Sequence, residues 1–172
     1  MPVLADRYGD FWNYLLPEQR ELLDDCEKLI QDAKVHPKGL TDYSYIVFPV
    51  AKMYEGFLKK LFLDLEIINA EQYQSDHFRI GKTLNPNLEP HLRIESVYDR
   101  VCQHFEGKEI ADDLWLAWKR GRNAVFHYFP GRLKRISFEE ATEIVGFVLK
   151  VMEKAVEHAS SKLKFLEAGQ NL

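Results

Sequence analysis

From Ile46 to Leu65 the chain places apolar residues so densely that whatever forms there must be enclosed on several sides. Ile46, Val47, Val50, Met53, Tyr54, Phe57, Leu58, Leu61, Phe62 and Leu65 recur at mostly three- and four-residue intervals, the period of an α-helix and not the strict alternation of a strand. So broad a stripe predicts a central helix packed on more than one side. Thr41 or Asp42 is its predicted N-cap. Pro49 lies about two turns in, and either kinks the helix or marks a later start near itself. Glu55 falls mid-helix, beside the stripe and not clearly on the solvent face.

The remaining segments supply partners for such a helix. Tyr8 to Leu16, rich in aromatics, reads as a short helix or packing arm. Pro17 suits a first helical position, with Glu18 and Glu21 near the positive end of the dipole. Leu22, Leu23, Cys26, Leu29, Ile30 and Ala33 then follow at helical spacing, and the helix is predicted to stop near Lys34, before His36-Pro37-Lys38-Gly39. Asn69 to Leu92 has no clear period and is broken by Gly81, Pro86 and Pro90. It is expected as a loop, and it carries His77, Arg79, Lys82 and His91, with Arg93 just beyond, as additions to a basic surface or as plain solvated residues. Arg93 to Phe105 is a predicted helix ended by Gly107. Ile110 to Trp118 is another, with Ile110, Leu114, Trp115, Trp118 and Ala117 inward. Ser137-Phe138-Glu139-Glu140 is a capping box opening a last helix that frays after Lys162. No strand and no repeat is expected. The predicted architecture is all-α, an up-down bundle of about five helices, in one domain over residues 1–172 with residues 1–7 and 163–172 frayed.

Composition narrows the function classes. The chain has 172 residues, 46% hydrophobic, with a formal net charge of -4. That excludes a globally basic nucleic-acid binder, so any such role must rest on a local patch. Cys26 and Cys102 form no CxxC pair and stand at no zinc-ligand spacing, so they read as small packed residues in a reducing compartment. His36, His77, His91, His104 and His158 offer no metal spacing; no metal and no cofactor is expected. The first twelve residues carry Asp6, Arg7 and Asp10 without an apolar run, and the run Tyr45 to Ala51 is too short to span a bilayer. A cytoplasmic protein with no membrane partner is expected.

The local patch exists. From Lys119 to Arg135 there are six basic residues (Lys119, Arg120, Arg122, Arg132, Lys134 and Arg135) and no Asp or Glu. Tyr128, Phe129, Trp115 and Trp118 interleave aromatics with them, the composition of a single-strand RNA groove. Without a nucleic acid, the same run is a solvated turn or a face for an acidic protein. Within it Arg122 and His127 can together grip a phosphate and exchange a proton. Five helical steps turn about 500°, leaving the two roughly 140° apart on one regular helix. Arg122 must therefore reach a shared site from a helix start or break, which Gly121 permits, or from a second subunit. Asn123 and His127, at i and i+4, are expected on one face.

Arg122-Asn123-Ala124-Val125-Phe126-His127 resembles the Arg-x(4–6)-His signature of the HEPN superfamily of helical ribonucleases and nucleotide-binding modules. The stretches Asp42 to Pro49 and Tyr54 to Lys60 are similar, more narrowly, to the HEPN domain of RNase LS-type (RnlA/LsoA) bacterial toxins. The likeness runs from about Tyr8 to the last helix. It implies a homodimer whose two Arg/His motifs face one cleft, and metal-independent RNA cleavage by 2'-hydroxyl attack. It implies His127 as general acid or base, Arg122 on the scissile phosphate, and Asn123 orienting His127 or touching the phosphate. Glu55 matches an acidic residue that lies near the motif in the toxins, paired with Arg122 or raising the His127 pKa. Lys119, Arg120, Tyr128, Arg132, Lys134 and Arg135 are the expected RNA-binding residues, and Arg120 also meets the looser motif spacing. The implied protein is the toxin of a toxin–antitoxin pair, with an antitoxin covering the cleft. The chain departs from the pattern at Phe129, where many HEPN toxins have tyrosine; the narrower family also carries extra N-terminal domains, beside which this sequence is expected to be either a free-standing relative or a domain of a longer protein. Two other readings remain: a catalytically inactive HEPN dimer that binds RNA, nucleotide or a protein partner, and a helical dimerisation module.

Overall fold

The dense apolar stretch folds as the helix its period predicts, and the rest of the chain packs around it. A computed structural model describes residues 4–37, 39–127, 130–131 and 134–169. In chain order the helices are α1 (Asp10–Tyr14), α2 (Pro17–Val35), α3 (Ser44–Asp64), α4 (Ala70–Gln74), α5 (Ile80–Thr83), α6 (Val97–His104), α7 (Glu109–Trp118), α8 (Ala124–Phe126) and α9 (Phe138–Gly169). A 3₁₀ turn covers Pro90–Glu95 and a π-helical turn covers Lys119–Asn123. Among the described residues there is no strand. No helix there is long and apolar enough to cross a membrane.

The sequence predicts about five helices; the described residues form nine. The five expected ones are α2, α3, α6, α7 and α9. The surplus α1, α4, α5 and α8 run three to five residues each, too short for a periodic pattern to register.

α3 is buried on more than one side, as its stripe requires: Ile46, Val47, Val50, Met53, Tyr54, Phe57, Leu58, Leu61 and Phe62 are all in the core. It packs on α2 along one side and on α9 along another, and also meets α4, α5, α8 and the π turn. Phe11 and Tyr14 of α1 set their rings edge-on against Phe57 at 6.4 and 5.9 Å. The Tyr54 hydroxyl donates to the Leu114 carbonyl at 2.8 Å, tying α3 to α7 through the core. Lys154 of α9 joins Glu109 and Asp113 of α7 at 2.6 and 2.7 Å.

Pro49 lies inside α3 and not at its start. It removes one N–H from the helix ladder, and the buried Cys26 thiol donates to the nearby Ile46 carbonyl at 3.3 Å. Burial pushes that thiol up to about 12. Neither Cys26 nor Cys102 is in a disulfide.

Asp42 acts one residue outside the cap, because Tyr43 is the N-cap residue and gives no side-chain bond. The Asp42 carboxylate accepts from the Ser44 N–H at 3.0 Å, the Ser44 hydroxyl at 2.7 Å and the Ile136 N–H at 3.3 Å. The Tyr43 N–H donates to the Ile136 carbonyl at 2.9 Å. One carboxylate thus pins the start of α3 to the strand of chain that enters α9. There the predicted capping box is present: the Ser137 hydroxyl accepts from the Glu140 N–H at 3.1 Å, and Glu140 accepts from the Ser137 N–H at 2.9 Å. The predicted helix from Arg93 instead begins at Val97, where the Ser96 hydroxyl accepts from the Asp99 N–H at 3.0 Å.

Burial alone raises the Asp42 pKa, but the bonds from Ser44 and Ile136 and the charge of Arg135 outweigh it and hold the carboxyl below its ordinary value. A lowered folded-state pKa contributes stability that is complete above the unfolded value, about 3.9, and is lost as pH falls through the folded one. Asp42→Ala is expected to cost about 1 kcal/mol at neutral pH, as for loss of a helix cap. Urea unfolding of both proteins from pH 7 downward should show this gap narrowing below roughly pH 4; a gap unchanged at the acid end contradicts the assignment.

Candidate functional site

The site forms where α7 runs through the π turn into α8. The sequence leaves open whether Gly121 breaks this helix; it does not, and the turn widens instead. Gly121 is buried, and a Cβ there would lie 2.6 Å from Cγ2 of Val148 on α9. The absent side chain lets the turn press against α9. π turns of this kind are often found at functional sites. α8 is held at its far end by Phe126, whose ring meets Phe48 of α3 edge-on at 5.6 Å.

The widened turn separates two arginines that the sequence could not rank. Arg120 lays its guanidinium over the Phe147 ring of α9 at 4.6 Å. Arg122 lays its own over the Trp118 ring at 5.2 Å. The second borders an open cleft of about 170 Å³, lined among the described residues by Glu55, Arg79, Ile80, Gly81, Trp118, Arg122 and Asn123 but not by Arg120. Three of the four residues expected to carry chemistry, Arg122, Asn123 and Glu55, therefore come together. Among the described residues none of the three enters an ion pair or side-chain hydrogen bond, so the expected Glu55–Arg122 pair is not formed.

His127 closes α8. It is the C-cap of α8 with φ -98° and ψ 125°, an extended conformation. As the C-cap it directly follows Phe126, the last helical residue. His127 is exposed and does not line the cleft, while Asn123 does.

Trp118 and Trp115 are not open stacking surfaces. Trp118 is 4% exposed and Trp115 packs half-buried on the core. Gly81 explains the seat of Trp118: a Cβ on Gly81 would lie 2.5 Å from the indole Nε1. Of the expected RNA-binding residues, Lys119, Arg120, Lys134 and Arg135 are exposed. Tyr128 and Arg132 lie outside the described residues, as does Phe129. Among the described residues no group of three or more His, Cys, Asp or Glu side chains is arranged to hold a metal ion.

Sequence reasoning missed Arg79 as a cleft residue, treating it as one of several basic residues in an irregular segment. The segment does carry a usable signal at Asn69-x-x-Gln72. The Asn69 side chain accepts from the Gln72 N–H at 2.8 Å, and the Gln72 side chain accepts from the Asn69 N–H at 3.1 Å, which starts α4.

Gly81→Ala forces its methyl into the Trp118 indole, and so is expected to destabilise the fold by about 1–3 kcal/mol. It should also displace the surface on which Arg122 rests. Urea unfolding and indole NMR signals check both; an unshifted Trp118 signal with full stability contradicts the close approach.

Compared with known protein families, characterised proteins and solved structures, the chain matches none.

Proposed function

We propose that this chain is a HEPN-like, metal-independent endoribonuclease that works as a homodimer, and that it is the toxin of a toxin–antitoxin pair. The supporting observation is the convergence of Arg122, Asn123 and Glu55 on one open cleft, with none of their polar groups used up in pairing with each other. A guanidinium and a carboxamide that are unpaired at a cleft wall are available to an anion.

In this reading Arg122 grips the scissile phosphate and offsets the negative charge that grows on its oxygens. Asn123 fixes the same phosphate in orientation. A 2'-hydroxyl attacks phosphorus, losing its proton to a base as the new P–O bond forms. The bond to the 5'-oxygen breaks, and that oxygen takes a proton. The products are a 2',3'-cyclic phosphate and a 5'-hydroxyl. His127 performs one of the two proton transfers. Because His127 stands at the end of α8, off the cleft wall, the imidazole that serves a given cleft comes from the second copy of the chain. Lys119, Arg120, Lys134 and Arg135 guide the strand by charge. An antitoxin blocks the cleft mouth.

The position of His127 off the cleft favours, as a second reading, a dimer that binds RNA, nucleotide or a protein partner without cutting. One experiment separates them. Purified protein is incubated with RNA in EDTA, and the product ends are identified by mass. The nuclease reading expects cyclic-phosphate ends, and a rate reduced by about 10²–10³ in Arg122→Ala and in His127→Ala. Mixing the two inactive variants should restore part of the activity, because one hybrid cleft then holds an intact set. RNA bound but never cut supports the second reading, and a strict monomer in solution removes the shared cleft.

A further inference from the structure

We propose that Arg79 and Arg122 form a two-guanidinium clamp on a single phosphodiester of single-stranded RNA. The proposal deepens the nuclease reading and rests on it for the identity of the ligand. It adds Arg79, from the turn that precedes α5, as a substrate-binding residue.

The two arginines come from distant parts of the chain and line the same cleft. Among the described residues neither side chain makes an ion pair or hydrogen bond. Like charges placed at one cleft raise each other's energy unless an anion lies between them. Glu55 is the one carboxylate among the lining residues, and it does not supply that anion within ion-pair reach. Among the described residues, the lining side chains therefore carry two positive charges and one negative, a net charge of +1. A phosphodiester carries one negative charge and balances this. A terminal phosphate carries close to two at neutral pH and would leave an excess beside Glu55.

Geometry adds to charge. Each guanidinium presents a planar fork of N–H donors suited to two phosphate oxygens. The Arg122 guanidinium carbon lies 5.2 Å from the centre of the Trp118 ring, and among the described residues its N–H groups donate no hydrogen bond. The indole beneath is itself located by Gly81, two residues from Arg79. One short stretch, Arg79-Ile80-Gly81, thus supplies the second guanidinium and the packing that sets the first. Glu55 offers only acceptors. Beside a diester, the donor it meets is a ribose 2'-hydroxyl, which DNA lacks.

The test uses the full chain carrying His127→Ala, so that the probe is not consumed, and a short fluorescein-labelled single-stranded RNA in EDTA. Fluorescence anisotropy should show binding weakened roughly tenfold by Arg79→Ala, and similarly by Arg122→Ala. Because both grip one phosphate, the double variant should lose less than the product of the single losses. Arg79→Lys, which keeps the charge and loses the fork, should fall between. Circular dichroism confirms that each variant folds. Unchanged binding in Arg79→Ala, or losses that multiply fully, overturns the clamp. Titration with dimethyl phosphate, followed at the arginine Nε–H NMR signals, is the independent arm: the clamp requires both signals to shift, and a shift in one alone or in neither overturns it. The two readings fail separately. Diester shifts at both arginines with no RNA cut by the wild type leave the clamp standing without the nuclease. RNA cleavage untouched by Arg79→Ala leaves the nuclease without the clamp.

Discussion

The structure depends on the enclosure of α3. A helix with apolar residues around most of its circumference is stable in water only when other elements cover it, and here α2 and α9 do most of that. Burying a side chain such as Phe57 or Leu58 contributes on the order of 2 kcal/mol, and eleven residues of α3 are buried along the helix. The positions of the shorter elements follow from what α2 and α9 leave uncovered. Glu55 is carried on this same rod, half-buried at the edge of the apolar stripe, and its location is as fixed as the core itself.

Two close approaches then convert a helical scaffold into a cleft. At Gly121 the turn touches Val148, and at Gly81 the chain touches Trp118. In each case a missing Cβ is what brings the backbone near. The first sets where the π turn lies between α3 and α9. The second brings the start of α5 against the end of α7. Between them they draw Arg79, Arg122 and Asn123 to the side of α3 that bears Glu55.

Much of the scaffold was legible in the sequence, because burial imposes a period. The stripe of α3 and the Ser137–Glu140 capping box appear as read, and of the six apolar residues read at helical spacing in α2, Leu23, Cys26, Ile30 and Ala33 are buried while Leu22 and Leu29 are half-buried. Helices of three to five residues leave no period to read, so α4, α5 and α8 merged into loops or neighbours, and α1 was read only as a short helix or packing arm. The π turn was illegible for a different reason. Gly121 permits the approach to Val148, but the partner is a residue of another helix, and the five letters Lys119-Arg120-Gly121-Arg122-Asn123 do not announce it. Glu55 was noticed from its odd position beside an apolar stripe. Arg79 was not distinguished, because a basic residue in a polar segment looks the same whether it faces solvent or a cleft.

The cleft wall is drawn from three separate pieces of chain, at residue 55, at residues 79–81 and at residues 118–123. A peptide spanning Arg120 to Pro130 would keep every letter of the Arg-Asn-His motif and yet have neither the carboxylate nor the second guanidinium. Grafted onto another helix, the motif would also lose the indole that orients its arginine. The recognisable signature is therefore not portable: what it does here is a property of the assembled core, and it cannot be moved without moving α3 and the start of α5 with it.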